Sequence, residues 1–179
     1  MFCSVAQMSQ LVFQPALDPY HAMFRLFRMF PILKGVALSR DHVRILDFYL
    51  TFPFLISSIR LSREGQHFKK LARKYINLKP YGQQPEGPLL FARMEAMQNA
   101  ALDTLAFNSF LETEALAADK IVTTDKSLPK DVCERVIELN EQQADLLEFL
   151  QSLASDYSIL GENGLKARTG LKEYRYDAV

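Results

Sequence analysis

Apolar positions recur at helical spacing over most of this 179-residue chain, and prolines and glycines punctuate them. The first run opens at Asp18-Pro19. An Asp side chain accepts from the free N–H groups at a helix start, and Pro suits the first helical position. Tyr20, Met23, Phe24, Phe27 and Phe30 then follow a helical period. That spacing predicts that Arg25 and Arg28 face away from the core, with Pro31 ending the helix. Lys34-Gly35 makes a turn, and Ser39 starts a second helix with Asp41 in its first turn. Val43, Ile45, Leu46, Tyr49 and Leu50 line this helix until Phe52-Pro53-Phe54 breaks it. The short step from Pro31 to Ser39 predicts a compact helical hairpin or corner.

Ile56 to Leu61 fits either a short extended piece or a continued helix, and both readings stay open. From Gln66 to Leu78 the pattern is clear: Phe68, Leu71, Ala72, Tyr75 and Ile76 form an apolar stripe, and Lys69, Lys70, Arg73 and Lys74 take the other face. Lys79 to Pro88 then holds three Pro and two Gly in ten residues, the best boundary in the chain. Beyond it, Leu90, Met94, Met97, Ala101 and Leu105 make a second long stripe, and Leu111 to Leu116 a short helical piece. Lys120 to Thr124 has strand chemistry, β-branched and brief. Pro129 opens a helix to about Ala154, with Val132, Val136, Leu139, Leu146, Leu150 and Leu153 on its apolar side. Its polar middle, Asn140 to Asp145, suits solvent or a partner.

These elements predict a mainly α fold with little strand. Their order on either side of the boundary is compatible with winged-helix-like lobes, and an all-α bundle fits nearly as well. The expected organisation is a basic helical lobe over 13–79, a hinge over 80–88, an acidic helical lobe with one short strand over 89–156, and a docking tail over 157–179. No internal repeat is found.

Hydrophobic residues at 49% and charged residues at 23% describe a globular chain, and thirteen Phe with no Trp predict a core of Phe and Leu. Met1 to Gln14 has no basic residue before its short apolar stretch, so a secretory signal is not expected. The longest apolar stretch, Ile45 to Ile59, is 15 residues and contains Asp47 and Pro53, too short and too interrupted to span a bilayer. Cys3 and Cys133 give no disulfide framework, which points to the cytoplasm and away from a membrane. The total charge is zero, yet it is sorted. Residues 1–93 carry 13 Lys/Arg against 5 Asp/Glu, and residues 94–156 carry 4 against 13. That split suggests one surface for a negative partner and another for a basic or neutral one.

No catalytic motif accompanies the split. His21, His42 and His67 lack metal-ligand spacing and read best as surface or helix-face histidines. Cys133 lies between Val132 and Val136 as a core residue, and no C-x-x-C occurs, so neither zinc nor another metal is expected. Gly161 to Lys166 lacks the spacing, the Lys-Ser/Thr pair and the preceding strand of a phosphate loop, and reads as a flexible turn. Glu134, Glu138, Glu141, Asp145 and Glu148 are spaced as a solvated helix face. The reading is therefore a protein that is not an enzyme and carries no cofactor.

Two segments stand out as binding candidates. Arg60, Arg63, Lys69, Lys70, Arg73, Lys74 and Lys79 share twenty residues with one carboxylate, Glu64. Such a strip suits phosphates bound without base readout, or the acidic half of a partner. The ending Leu171, Tyr174, Arg175 and Tyr176 has the adhesive residue types of interface hot spots, so it is a candidate docking segment or a tail packed on its own domain. Apolar faces on both long helices would also serve an oligomer.

Leu17-Asp18-Pro19-Tyr20-His21 through Phe30-Pro31, with Arg44-Ile45-Leu46-Asp47-Phe48-Tyr49-Leu50-Thr51-Phe52-Pro53-Phe54, resembles the small middle component of bacterial ABC-three-component systems, relatives of Lamassu antiphage defence. The likeness is carried by residues 11–61; beyond them it rests on length, helix order and the Tyr174-Arg175-Tyr176-Asp177 ending. The resemblance implies an accessory subunit beside an SMC- or Rad50-like ATPase and an effector, often a nuclease. Catalysis would belong to those partners, while this chain connects them, restrains the effector or helps to recognise DNA. The alternative is a winged-helix DNA-binding transcriptional regulator whose Lys69, Lys70, Arg73 and Lys74 contact phosphates.

Overall fold

The structure, a computed structural model, describes residues 15–34, 36–79 and 85–172. Helix α1 (Pro19–Leu33) starts as its residues dictate, the Asp18 carboxylate accepting from the His21 N–H at 2.9 Å. It does not stop at Pro31. The proline lies in the last turn, where its missing N–H removes a single bond, and burial of Ile32 and Leu33 holds that turn closed. The apolar stripe also differs from the one predicted. Tyr20 is 76% exposed, and the face that turns inward carries Ala22, Arg25, Leu26, Met29 and Ile32. Arg25 and Arg28 thus point into the protein, because each finds a buried polar partner there.

Strand β1 (Leu38–Ser39) leads directly into α2 (Arg40–Thr51), whose first turn is capped by the Ser39 hydroxyl accepting from the His42 N–H at 3.3 Å. Every residue from His42 to Leu50 is buried, so α2 is the central element of the fold. Pro53 ends it and begins a tight 3₁₀ turn, Pro53–Ser58. The helix predicted over 66–78 is segmented into a 3₁₀ stretch (Glu64–Lys69), a short α3 (Lys70–Lys74) and another 3₁₀ turn (Ile76–Leu78). Phe68, Leu71, Ala72 and Tyr75 still face the core, while Ile76 does not.

After the boundary come α4 (Gly87–Phe107), α5 (Thr113–Ala117) and β2 (Lys120–Ile121). Strand β2 runs antiparallel to β1, with Leu38 opposite Ile121. The long helix predicted from Pro129 is two, α6 (Lys130–Gln142) and α7 (Ala144–Asp156), broken where Gln143 leaves helical geometry. A short α8 (Leu165–Thr169) follows and is closed by Gly170 at φ +64°, a left-handed conformation that glycine adopts without strain. Helices dominate, and the sheet is a pair of two-residue strands, a mainly α fold as the sequence predicts.

Residues from both sides of the boundary share one apolar cluster, from Ala16 to Leu171. Helix α1 packs on α4, and α2 packs on α4 and α7. Edge-on aromatic pairs run through it: Phe48 with Phe91 at 5.8 Å, and Tyr49 with Phe149 at 6.2 Å between ring centres. In α7, Leu146, Phe149, Leu150 and Leu153 are fully enclosed. Each such side chain stabilises the fold by about 1.5–3 kcal/mol relative to exposure.

His42 sits inside this packing, and its Nε2 has no hydrogen-bond partner. Burial holds its pKa below the ordinary histidine value, with the backbone carbonyls of Tyr157 and Leu153 pulling weakly the other way. The unfolded chain therefore takes up a proton below about pH 6.5 that the folded chain refuses, so stability is complete above that pH and falls as pH drops through it. The urea midpoint should be lower at about pH 5.5 than at about pH 7.5, and His42→Gln should shrink that difference. An undiminished difference in the variant would contradict the assignment to His42.

Candidate interaction surfaces

The most concentrated polar chemistry lies inside the protein. Asp47, near the middle of α2, accepts from Arg25 Nε at 2.5 Å and Nη2 at 3.1 Å, and from Gln98 Nε2 at 2.9 Å. Three helices are thereby joined: α1 supplies Arg25, α2 Asp47 and α4 Gln98. Arg25 also donates to the Pro15 carbonyl at 3.0 Å. Gln98 is satisfied on both sides, its oxygen accepting from Arg44 Nε at 3.1 Å and its nitrogen donating to the Arg44 carbonyl at 3.1 Å. Arg44 then reaches Asp41 at 3.2 Å and Glu95 at 3.0 Å, with its guanidinium 4.7 Å from the Phe91 ring centre.

Asp41 continues the chain of contacts to the C-terminal segment, with Lys172 at 2.7 Å and Lys166 at 3.2 Å. Burial alone would raise its pKa; the ammonium groups of Lys172 and Lys166 outweigh that and hold the carboxyl below the usual range. A cavity of about 10 Å³ beside Arg44, Asp47 and Gln98 has room for one water at most and excludes a ligand. This network is scaffold. Sequence reasoning passed over it, although a carboxylate inside an apolar run needs a buried partner.

A second internal contact accounts for the polar middle of the predicted long helix. Arg28 donates to Asn140 Oδ1 at 2.9 Å and Gln143 Oε1 at 2.8 Å, and Asn140 returns a bond to the Arg28 carbonyl. Burial lowers the pKa of Arg28, and Tyr75 pulls it back in part. Asn140 and Gln143 are thus turned inward.

The predicted basic strip separates into three kinds of residue. Arg60 is tied down: its Nη2 donates to the Ala167 carbonyl at 2.6 Å, and its own carbonyl accepts from Arg168 Nη1 at 2.6 Å. Lys74 is neutralised by Asp145 at 2.5 Å, and the same carboxylate accepts from the Tyr75 hydroxyl at 2.8 Å. Burial would raise the pKa of Asp145, yet Lys74 and Tyr75 bring it below its ordinary value, while Lys74 is pushed up. Arg63, Lys70 and Arg73 are exposed and Lys69 half-exposed, and the side chains of these four make no hydrogen bond or ion pair to any described residue.

The groove between residues 62–68 and α7, about 680 Å³ and open to solvent, carries Glu64, Glu148 and Asp156 beside His67. On α6, Glu134 pairs loosely with Lys130 and Glu138 with Arg135, while Asp131 and Glu141 are exposed with no partner among the described residues. Of the tail candidates, Leu171 is buried in the core cluster against Gly87, where an added Cβ would stand 3.4 Å from Leu171 Cδ2. Tyr174, Arg175 and Tyr176 lie outside the described residues.

Among the described residues, no group of three or more His, Cys, Asp or Glu is arranged to hold a metal ion, and no helix is long and apolar enough to cross a membrane. A family model described as ABC-three component (ABC-3C) system Middle Component 5 matches residues 11–177. The chain belongs to this family. Comparison with curated proteins and with solved structures gave no match. In this middle component the residues that carry the resemblance are structural: Asp18 caps α1, and Arg44 and Asp47 build the internal network.

Removing one side of a buried pair leaves a charge without compensation. Asp47→Ala should therefore cost the middle component about 3–5 kcal/mol in urea unfolding. Arg135→Ala, which breaks an exposed pair on α6, should cost less than about 1 kcal/mol. Similar small losses for both would contradict the central role of Asp47.

Proposed function

We propose that this middle component is a non-catalytic accessory subunit of an antiphage defence complex, bridging an SMC- or Rad50-like ABC ATPase and an effector protein in the cytoplasm. Family membership supports the accessory role. The distribution of charge supports the bridge and is the observation that carries it. Arg25, Arg44, Asp47 and Gln98 satisfy one another inside, whereas Arg63, Lys69, Lys70 and Arg73 on one segment and Asp131 and Glu141 on α6 have no partner among the described residues. Complementary charge steers association and selects partners more than it adds raw affinity, which suits a subunit that must meet two unlike surfaces in order.

In this reading ATP turnover and any cutting of nucleic acid reside in the partners. The chain supplies relative position. The experiment is co-expression with the ATPase and effector encoded nearby, followed by capture through a tag on the middle component. Both should co-purify in fixed ratio. Charge reversal at Asp131, Glu134, Glu138 and Glu141 should weaken capture of one partner about tenfold without changing the melting temperature. A middle component that purifies alone from cells making all three proteins would contradict the bridge.

A further inference from the structure

We propose that Arg63, Lys69, Lys70 and Arg73 bind the phosphate backbone of duplex DNA without reading its sequence, which deepens the accessory reading by giving one of its faces a partner. Of the seven cations in the basic strip two are committed, Lys79 stands apart beyond the last 3₁₀ turn, and these four remain together. Arg60 is committed to the Ala167 carbonyl, and Lys74 to Asp145. The four that remain sit on a segment anchored by Phe68, Leu71, Ala72 and Tyr75, all buried, so their charges are presented from a fixed base. Lys69, Lys70 and Arg73 cluster on adjacent turns, and Arg63 precedes them across a 3₁₀ stretch.

Like charges gathered this closely repel one another, and a polyanion relieves that repulsion while releasing its own counterions. The residue types favour phosphate over protein. Protein interfaces are depleted in Lys, though enriched in Arg, and built on aromatic anchors, and no exposed Phe, Tyr or Trp stands among these four cations; the exposed His67 ring lies against Phe68. Phosphate oxygens, in contrast, are the ordinary partners of Lys and Arg, and such contacts carry no sequence information. Gln66, the amide among these four cations, is held by the Leu61 carbonyl at 2.8 Å and so is not free to read a base, and equal affinity for unrelated sequences tests whether Arg63 and Arg73 do. The neighbouring groove bears Glu64, Glu148 and Asp156, which repel phosphate and bound the contact on that side.

The test uses the purified full chain and two unrelated duplexes of about 20 base pairs, followed by fluorescence anisotropy across a salt series. Four phosphate contacts predict equal affinity for both sequences and a loss of about 100-fold between about 50 and about 200 mM salt. The combined variant Arg63→Glu, Lys69→Glu, Lys70→Glu and Arg73→Glu should weaken binding more than tenfold, roughly the share of four phosphate contacts at low salt. Lys130→Glu with Arg135→Glu, which changes two exposed cations elsewhere, should leave it unaltered. An unchanged melting temperature in both variants shows that the fold is intact. Undiminished DNA binding by the four-residue variant overturns the proposal, and so does competition by poly-glutamate equal to that of DNA at matched charge, which would assign the site to an acidic protein. Capture of the ATPase and effector by the four-residue variant is measured in parallel: lost DNA binding with capture retained assigns the four cations to DNA, and lost capture with DNA binding retained overturns the proposal.

Discussion

The contact between Asp47 and its three donors is the constraint from which the rest of the structure follows. Moving a carboxylate and a guanidinium out of water costs several kcal/mol for each ion, and only good geometry with full satisfaction offsets it. Arg25 provides two aligned N–H groups and Gln98 a third, each from a different helix. Because guanidinium and carboxylate are planar and directional, α1, α2 and α4 have little freedom to slide past one another once the contact forms. Apolar packing supplies most of the stabilisation, and the polar centre sets the register in which that packing occurs. Arg44 and Asp41 extend the same chain of contacts outward to Lys166 and Lys172, so the C-terminal segment is fastened to the start of α2.

The opposite charges of the two halves of the sequence meet in two different ways. Across the interior Arg44 of the basic half pairs with Glu95 of the other, Arg28 and Arg44 also bond the neutral amides of Asn140, Gln143 and Gln98, and Arg25 pairs with Asp47 of its own half. Lys74 and Asp145, again one from each half, pair nearer the surface. What remains unneutralised is smaller than the sequence totals suggest and better defined in position. That remainder is the physical basis for the proposal that this middle component joins other subunits.

Much of the fold was legible from local signals. The Asp18 and Ser39 caps, the break at Phe52-Pro53, the short strand at Lys120 and the mainly α character all follow from side-chain chemistry acting within a few residues. Signals that depend on distant partners were not. Periodicity placed Arg25 and Arg28 outside because it scores arginine as polar, while the long-range partners Asp47 and Asn140 make both arginines interior. Pro31 failed to stop α1 because buried neighbours held the last turn. The break at Gln143 was invisible for a related reason: a helical residue leaves helical geometry there, and its side chain bonds Arg28, an element more than a hundred residues away. Of the basic strip, the sequence identified the segment, and only the folded chain distinguished the committed Arg60 and Lys74 from the cations whose side chains have no partner among the described residues.

We propose that the buried chemistry of this protein is scaffold and that its work is done at the charged exterior. Hydrogen–deuterium exchange of the middle component alone and in complex with its ATPase, its effector and duplex DNA measures this most directly. The prediction is that α2 and the Gln98 region of α4 are protected equally in both states, with new protection confined to exposed faces such as residues 63–73 and α6. New protection centred on Asp47 and Gln98, with none on the charged faces, would contradict it.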